Sequence, residues 1–332
     1  MLRWYLPKPK VLATHPLFPA ARNILDDEFE VEYWTNAERI PRDELLKRVA
    51  DKEALVCLLT ERVDEELLNT ASRLRIAATV SVGFDNLDVE ACTRHNVVAT
   101  HTPGVLDDTT ADFAWALMMA TARRILEGDA WIRSGGWPGS GLDQLLGADV
   151  WGKTLGIIGF GRIGRGVARR SYGFNMRVLY HDPMRAPMNV EEQLRAEYAD
   201  LDKLLRESDF VTVHVPLSPA TRHLISKETL AKMRPTAYLI NTSRGQVVDE
   251  AALVEALQDK KIAGAALDVY ENEPEVHPGL LGRKDVILTP HIASGSVATR
   301  TKMAVMAANN VAAWFHGKKP PNALNAEALG LK

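Results

Sequence analysis

Short apolar runs recur along the chain, separated by segments whose polar and apolar residues have helical spacing. Val11–Thr14 reads as a first strand and Ala54–Leu59 as a buried one, and Leu74–Val80 and Val97–Thr100 repeat the pattern. Between them, Arg42–Asp51 and Asp64–Thr70 carry helical periodicity. Strands alternating with helices predict a parallel sheet covered on both faces. A long helix is predicted next: Asp107-Asp108-Thr109-Thr110 offers capping side chains, and an apolar run follows through Leu126. Its apolar surface, including Trp115, Met118 and Met119, is better suited to packing against another helix or subunit than to facing a cofactor. Ser134–Gly141 is rich in glycine and marks a loop. A second α/β series begins after it, with strands at Thr154–Gly159, Met176–His181, Phe210–His214, Ala237–Asn241, Ala263–Asp268 and Val286–Thr289. A final helix is predicted from about Thr299 to Phe315.

Composition narrows the function classes. The chain's 332 residues are enough for two domains, each with its own core. A formal net charge of −3 gives no general attraction to nucleic acid or to an acidic membrane, so neither is expected as a partner. The two cysteines, Cys57 and Cys92, lie in core-like sequence, as in a protein of a reducing compartment, and exclude a disulfide scaffold. Two isolated cysteines make no full set of cysteine and histidine ligands, so no metal site is expected. Met1–Lys10 has charge and proline where a signal peptide needs an apolar stretch. The longest apolar segment, Phe113–Ala122, is too short to span a bilayer. The expected location is the cytoplasm.

Gly159-Phe160-Gly161-Arg162-Ile163-Gly164 follows a predicted strand and opens a predicted helix. In that context the first glycine allows the tight turn and the second lets backbone amides approach a pyrophosphate. The third lets helix and sheet pack closely, and the helix N-terminus offers free N–H groups to the phosphates. Asp182, at the end of the next strand, is placed to accept hydrogen bonds from ribose hydroxyls and to repel a 2′-phosphate. NAD(H) is therefore favoured. NADP(H) stays open, because the nearby Arg185 could hold that phosphate.

Hydride transfer to a carbonyl also needs a proton donor and a group that grips the substrate. Arg244 in Asn241–Gln246, Glu273 in Asp268–Pro274 and His291 in Thr289–Ser294 stand out at strand ends and loops. Together with Val82–Asp88, Thr102–Leu106, Gly156–Gly164 and His214–Leu217, these segments resemble the D-2-hydroxyacid dehydrogenase family, most of all its glyoxylate/hydroxypyruvate reductase group. The likeness covers essentially the whole chain. It implies that Arg244 grips the substrate carboxylate and carbonyl. His291 would protonate the carbonyl oxygen, and Glu273 would orient its ring and raise its pKa. The amides of Val82 and Gly83 would hold the other side of the carboxylate. Thr242, Arg244 and Asp268 would line the nicotinamide ribose and carboxamide, with His214, Pro216 and His291 also beside the cofactor.

The resemblance further implies two doubly wound parallel-sheet domains. A Rossmann-type NAD domain, residues 103–292, would be inserted into a flavodoxin-like substrate domain, residues 1–102 and 293–332, with the active site in a cleft. It implies a homodimer through the helix after Asp108. The expected substrate is a small 2-oxo or 2-hydroxy acid, glyoxylate or hydroxypyruvate first. Phosphite dehydrogenases are similar too, and a corepressor-like NAD-sensing relative is the alternative from another class. The loop Pro138–Leu142 departs from the group's pattern, which often has a further aromatic residue there.

Overall fold

The computed structural model describes residues 7–331; Met1–Leu6, part of the segment read for a leader, lie outside them. The chain forms two compact units, one ending at Leu106 and resuming at Ser296, the other spanning Asp107–Gly295.

The first unit holds five parallel strands: β1 (Lys10–Ala13), β2 (Glu30–Tyr33), β3 (Ala54–Cys57), β4 (Ile76–Thr79) and β5 (Val98–Thr100). Their order is β2-β1-β3-β4-β5, a flavodoxin-like winding. Helices α1 (Pro19–Glu28), α2 (Arg42–Val49), α3 (Glu65–Thr70) and α4 (Val89–Arg94) connect them. Asp64 and Asp88 cap α3 and α4 by accepting the amides of Leu67 and Ala91. The C-terminal helix, Val297–Phe315, returns to this sheet and packs on α1 and β4 through Ala304, Ala307, Ala308 and Val311. Beyond it, Asn325 accepts the amide of Ala99 at 3.0 Å and donates to the Val97 carbonyl at 2.9 Å, pinning the tail to β5.

The second unit holds seven parallel strands: β6 (Thr154–Ile158), β7 (Arg177–His181), β8 (Ala196–Tyr198), β9 (Phe210–Val213), β10 (Tyr238–Asn241), β11 (Gly264–Leu267) and β12 (Val286–Leu288). The order β12-β11-β10-β9-β6-β7-β8 is the Rossmann winding with one further strand. Its helices are α5 (Asp107–Ala122), α6 (Ile125–Arg133), α7 (Arg162–Arg170), α8 (Met188–Leu194), α9 (Leu201–Glu207), α10 (Lys227–Leu230) and α11 (Glu250–Gln258). The strand order reverses between β6 and β9, so the switch point, where α/β sheets bind ligands, lies at the ends of those two strands.

The single long helix expected from Asp107 to Leu126 is two. Arg124 takes a left-handed conformation (φ 52°), and the Ala122 carbonyl accepts the amide of Ala148 at 2.8 Å, which ends α5. Trp115 and Met118 are buried; the Trp115 indole donates to the Val167 carbonyl and its ring stacks on Phe174, so this face packs on α7. The exposed apolar side chains lie further on. No residue of α6 is buried, and Ile125, Leu126, Ile132, Trp137, Leu146 and Trp151 are all exposed.

Candidate active site

Each part of the dinucleotide turn is fixed by what surrounds it. Gly159 has φ +93°, and a Cβ there would lie 2.7 Å from the His214 carbonyl carbon. Only glycine therefore lets the end of β6 sit against the end of β9. At Gly164 a Cβ would meet the Gly159 carbonyl oxygen at 2.1 Å, so this position sets the approach of α7 to β6. Gly161, by contrast, has nothing within 4 Å of an added Cβ, so the space in front of the turn is open. Gly161 is the N-cap of α7 and supplies no side-chain cap, which leaves the helix's first amides available to an anion. Arg162 points away from the turn, its Nε 3.1 Å from Asp107 in the first turn of α5, and Ile163 is half-buried.

Asp182 closes the turn from β7. One carboxylate oxygen accepts the Phe160 amide at 2.8 Å and the other the Met184 amide at 3.1 Å. Each oxygen keeps further acceptor capacity. Across the switch point, His214 Nε2 is 2.8 Å from the Thr212 hydroxyl, while its Nδ1 is buried without a partner. Burial pushes the His214 pKa down to about 3, so the ring is neutral. The Thr242 hydroxyl after β10 is likewise buried and unpartnered. Two orphaned polar groups beside an open glycine turn fit a polar ligand such as a dinucleotide. Pro216 is exposed, its carbonyl taken by the Thr221 hydroxyl at 2.6 Å.

Beyond β10 the chain turns tightly to present Arg244. The Asn241 side chain accepts from the Ser243 amide and hydroxyl (3.0 and 2.8 Å) and donates to the Arg244 carbonyl at 2.9 Å. Gly245 lies flat against the next loop, where a Cβ would sit 1.8 Å from the Tyr270 carbonyl carbon. That loop carries Glu273, and Glu273 Oε2 lies 2.9 Å from His291 Nδ1. Burial pushes the Glu273 carboxyl up, but the bond to His291 and the charges of His291 and Arg244 outweigh it and hold the group below its ordinary range. The three residues singled out by sequence are thus one electrostatic group.

His291 itself sits at φ +53°, an uncommon conformation for a residue with a side chain. Asp268 holds it there. Its carbonyl accepts the His291 amide at 2.9 Å, and its carboxylate accepts the Thr289 hydroxyl and the amides of Ile292 and Ala293 at 2.7–2.9 Å. Asp268 is fully buried, and its oxygens serve the His291 loop. Burial pushes its carboxyl up against the opposing effect of these donors.

In the other unit, the loop after β4 carries Val82 and Gly83. The Ser81 hydroxyl donates to the Gly83 carbonyl, and His101 Nδ1 donates to the Val82 carbonyl at 2.8 Å. Sequence reading passed over His101, Asn241 and Gly245. The Asn-Thr-Ser-Arg-Gly string is a turn signature that could have pointed to the last two. His101, a single histidine after a strand, carried no signal.

Residues 115–293 match the family model described as the D-isomer specific 2-hydroxyacid dehydrogenase NAD binding domain. The glyoxylate reductase of Thermococcus gammatolerans is 48% identical over 329 residues, 98% of each chain. A crystal structure of a Thermus thermophilus protein is similar with a TM-score of 0.89 and 40% identity, over 95% of this chain and 99% of that one. The NADPH-dependent glyoxylate/hydroxypyruvate reductase of Sinorhizobium meliloti, solved with NADP and malonate, has a TM-score of 0.84 and 33% identity, over 96% of this chain and 97% of that one.

Proposed function

The chain belongs to the D-isomer specific 2-hydroxyacid dehydrogenases, and from that premise we propose that it reduces glyoxylate or hydroxypyruvate with NADH, His291 supplying the proton. The observation that carries this reading is the His291–Glu273 bond at 2.9 Å on a loop that Asp268 fixes from beneath. A carboxylate on Nδ1 sets the ring so that Nε2 is the nitrogen turned to substrate. The bound dinucleotide supplies hydride to the substrate's carbonyl carbon. His291 delivers its proton to the carbonyl oxygen, and in oxidation takes it back. Arg244 holds the substrate carboxylate through its planar donor fork. We assign the amides of Val82 and Gly83 to substrate binding, and Thr242, His214 and Pro216 to the cofactor surface. The glycine turn, with Arg162 and Ile163 opening α7, cradles the pyrophosphate, and Asp182 takes the ribose hydroxyls.

The domain roles follow from the same reading: the unit around the glycine turn binds cofactor, and the unit formed by both chain ends binds substrate. Two buried cysteines without a disulfide, Cys57 and Cys92, support a cytoplasmic location. A homodimer is supported by the exposed apolar residues between Ile125 and Trp151. Helix α5, expected to serve that role, spends its apolar face within its own unit.

The test is NADH consumption at neutral pH with glyoxylate, hydroxypyruvate, pyruvate and phenylpyruvate, each repeated with NADPH, beside NAD reduction with phosphite. Rapid loss of NADH with either of the first two acids is expected. Activity on phosphite alone would replace this reading.

A further inference from the structure

Arg185 lies three residues beyond Asp182, where a guanidinium could meet a dinucleotide's 2′-phosphate. Its side chain is already engaged. Nε and Nη2 each lie 2.9 Å from an oxygen of Glu191, a paired fork on one carboxylate. We propose that Glu191 is a specificity-determining residue: by holding the Arg185 guanidinium it withholds the cation that a 2′-phosphorylated dinucleotide would need, and so favours NAD(H) over NADP(H). This rests on the reading of the second unit as a dinucleotide-binding unit.

Several contacts make Glu191 the fixed member of the pair. Its side chain is only 10% exposed, against 64% for Arg185, so the arginine is the one free to move. Glu191 Oε1 also accepts the Tyr180 hydroxyl at 2.6 Å, and that hydroxyl accepts the Ala186 amide at 2.8 Å. The loop that carries Arg185 is therefore tied to the carboxylate that captures it. The Tyr180 ring stacks on Phe160 with centroids 3.9 Å apart, and the Phe160 amide is the one bound by Asp182. A continuous set of contacts thus runs from the glycine turn to the captured guanidinium. The Tyr198 ring also lies near Arg185, 5.8 Å from its guanidinium carbon. Asp182 repels a 2′-phosphate directly; Glu191 removes its best counter-ion. The pairing is not an ordinary helix-surface one, since Arg185 precedes α8 and Glu191 lies within it, six residues on.

The experiment is fluorescence titration of NADH and NADPH onto the wild-type protein, Glu191→Gln, Arg185→Ala and the double variant, with melting temperatures alongside. Glu191→Gln is expected to lower the ratio of Kd for NADPH to Kd for NADH about tenfold, the scale of one charge-assisted contact. Arg185→Ala alone is expected to leave the ratio unchanged, and in the Glu191→Gln background to restore it. Glu191→Asp keeps the charge but shortens the arm, and is expected to move the ratio in the same direction should the Gln variant not fold. A lowered melting temperature with an unchanged ratio would show Glu191 to be only a staple of α8 and overturn the proposal. Weaker NADPH binding by Arg185→Ala would overturn it as well, by showing the guanidinium already in service. A wild-type protein that binds neither nucleotide would instead overturn the reading of the unit itself.

Discussion

His291 combines two properties seldom found together in one side chain: a left-handed backbone and a carboxylate on Nδ1. The first is tolerated because Asp268 contacts the loop on both sides of His291, and strain held by its surroundings is a recurrent feature of reacting residues. His291→Ala is expected to lower kcat about 10²–10⁴-fold, the range for a positioned proton donor, while the Kd of NADH stays the same; unchanged turnover would remove His291 from the chemistry. Glu273→Gln keeps a side chain of the same length beside Nδ1 but replaces the carboxylate. A lower kcat with an unchanged Kd for NADH is expected. An unchanged kcat would mean that the carboxylate is not needed to place the ring.

Among the elements, those buried on both faces were readable in advance. β3, β4, β6 and β9 are continuous apolar runs, and each lies where the sequence placed it to within a few residues. Two of the four edge strands were not readable. β2 (Glu-Val-Glu-Tyr) and β8 (Ala-Glu-Tyr) lie at sheet edges and are partly exposed, so they lack the apolar run that announces an inner strand. The end of α5 was missed for another reason: it is set by Ala148, a residue distant in sequence that the helix's own pattern cannot report. At the site, the reacting residues carried a chemical signature, whereas the groups that hold them did not. Asn241 looks like an ordinary strand-end polar residue, and the hold of Asp268 on the His291 loop is legible only in its hydrogen bonds. The glycine turn tests the element scale most directly. Gly164→Ala forces a methyl into the Gly159 carbonyl, and overpacking of this kind costs about 1–3 kcal/mol. A lower melting temperature with weakened NADH binding is expected. Wild-type affinity would show that α7 can move outward freely.

For the whole molecule, His214 gives stability a pH dependence of definite sign. Its folded pKa of about 3 lies below the value near 6.5 of an unperturbed histidine. Below about 6.5 the unfolded chain binds a proton that the folded one refuses, so this contribution is lost progressively as pH falls toward 3. Melting temperatures between about pH 7 and 4 should fall less steeply in His214→Gln than in the wild type; parallel curves would mean the ring is not closed to protons. The apolar surface from Ile125 to Trp151 is exposed, and the proposed homodimer would cover it. Sedimentation is expected to show a dimer, and Ile132→Glu with Leu146→Glu a monomer. A wild-type monomer at micromolar concentration would reassign that surface.

The tail that Asn325 pins to β5 bears on how the molecule is made. The ribosome releases the five strands of the first unit early, but a helix that shares one face of their sheet with α1 is Val297–Phe315, and the bonds to Val97 and Ala99 come from Asn325, more than two hundred residues later. The inserted unit is complete by Gly295 and can fold as soon as it emerges. Through that interval Val11, Ala13, Val56 and Ala78 have α1, with Ala21 and Leu25, but lack the cover of Ala304, Ala307, Ala308 and Val311. For this chain, aggregation during synthesis is a hazard of its first hundred residues, and a nascent-chain chaperone would act there.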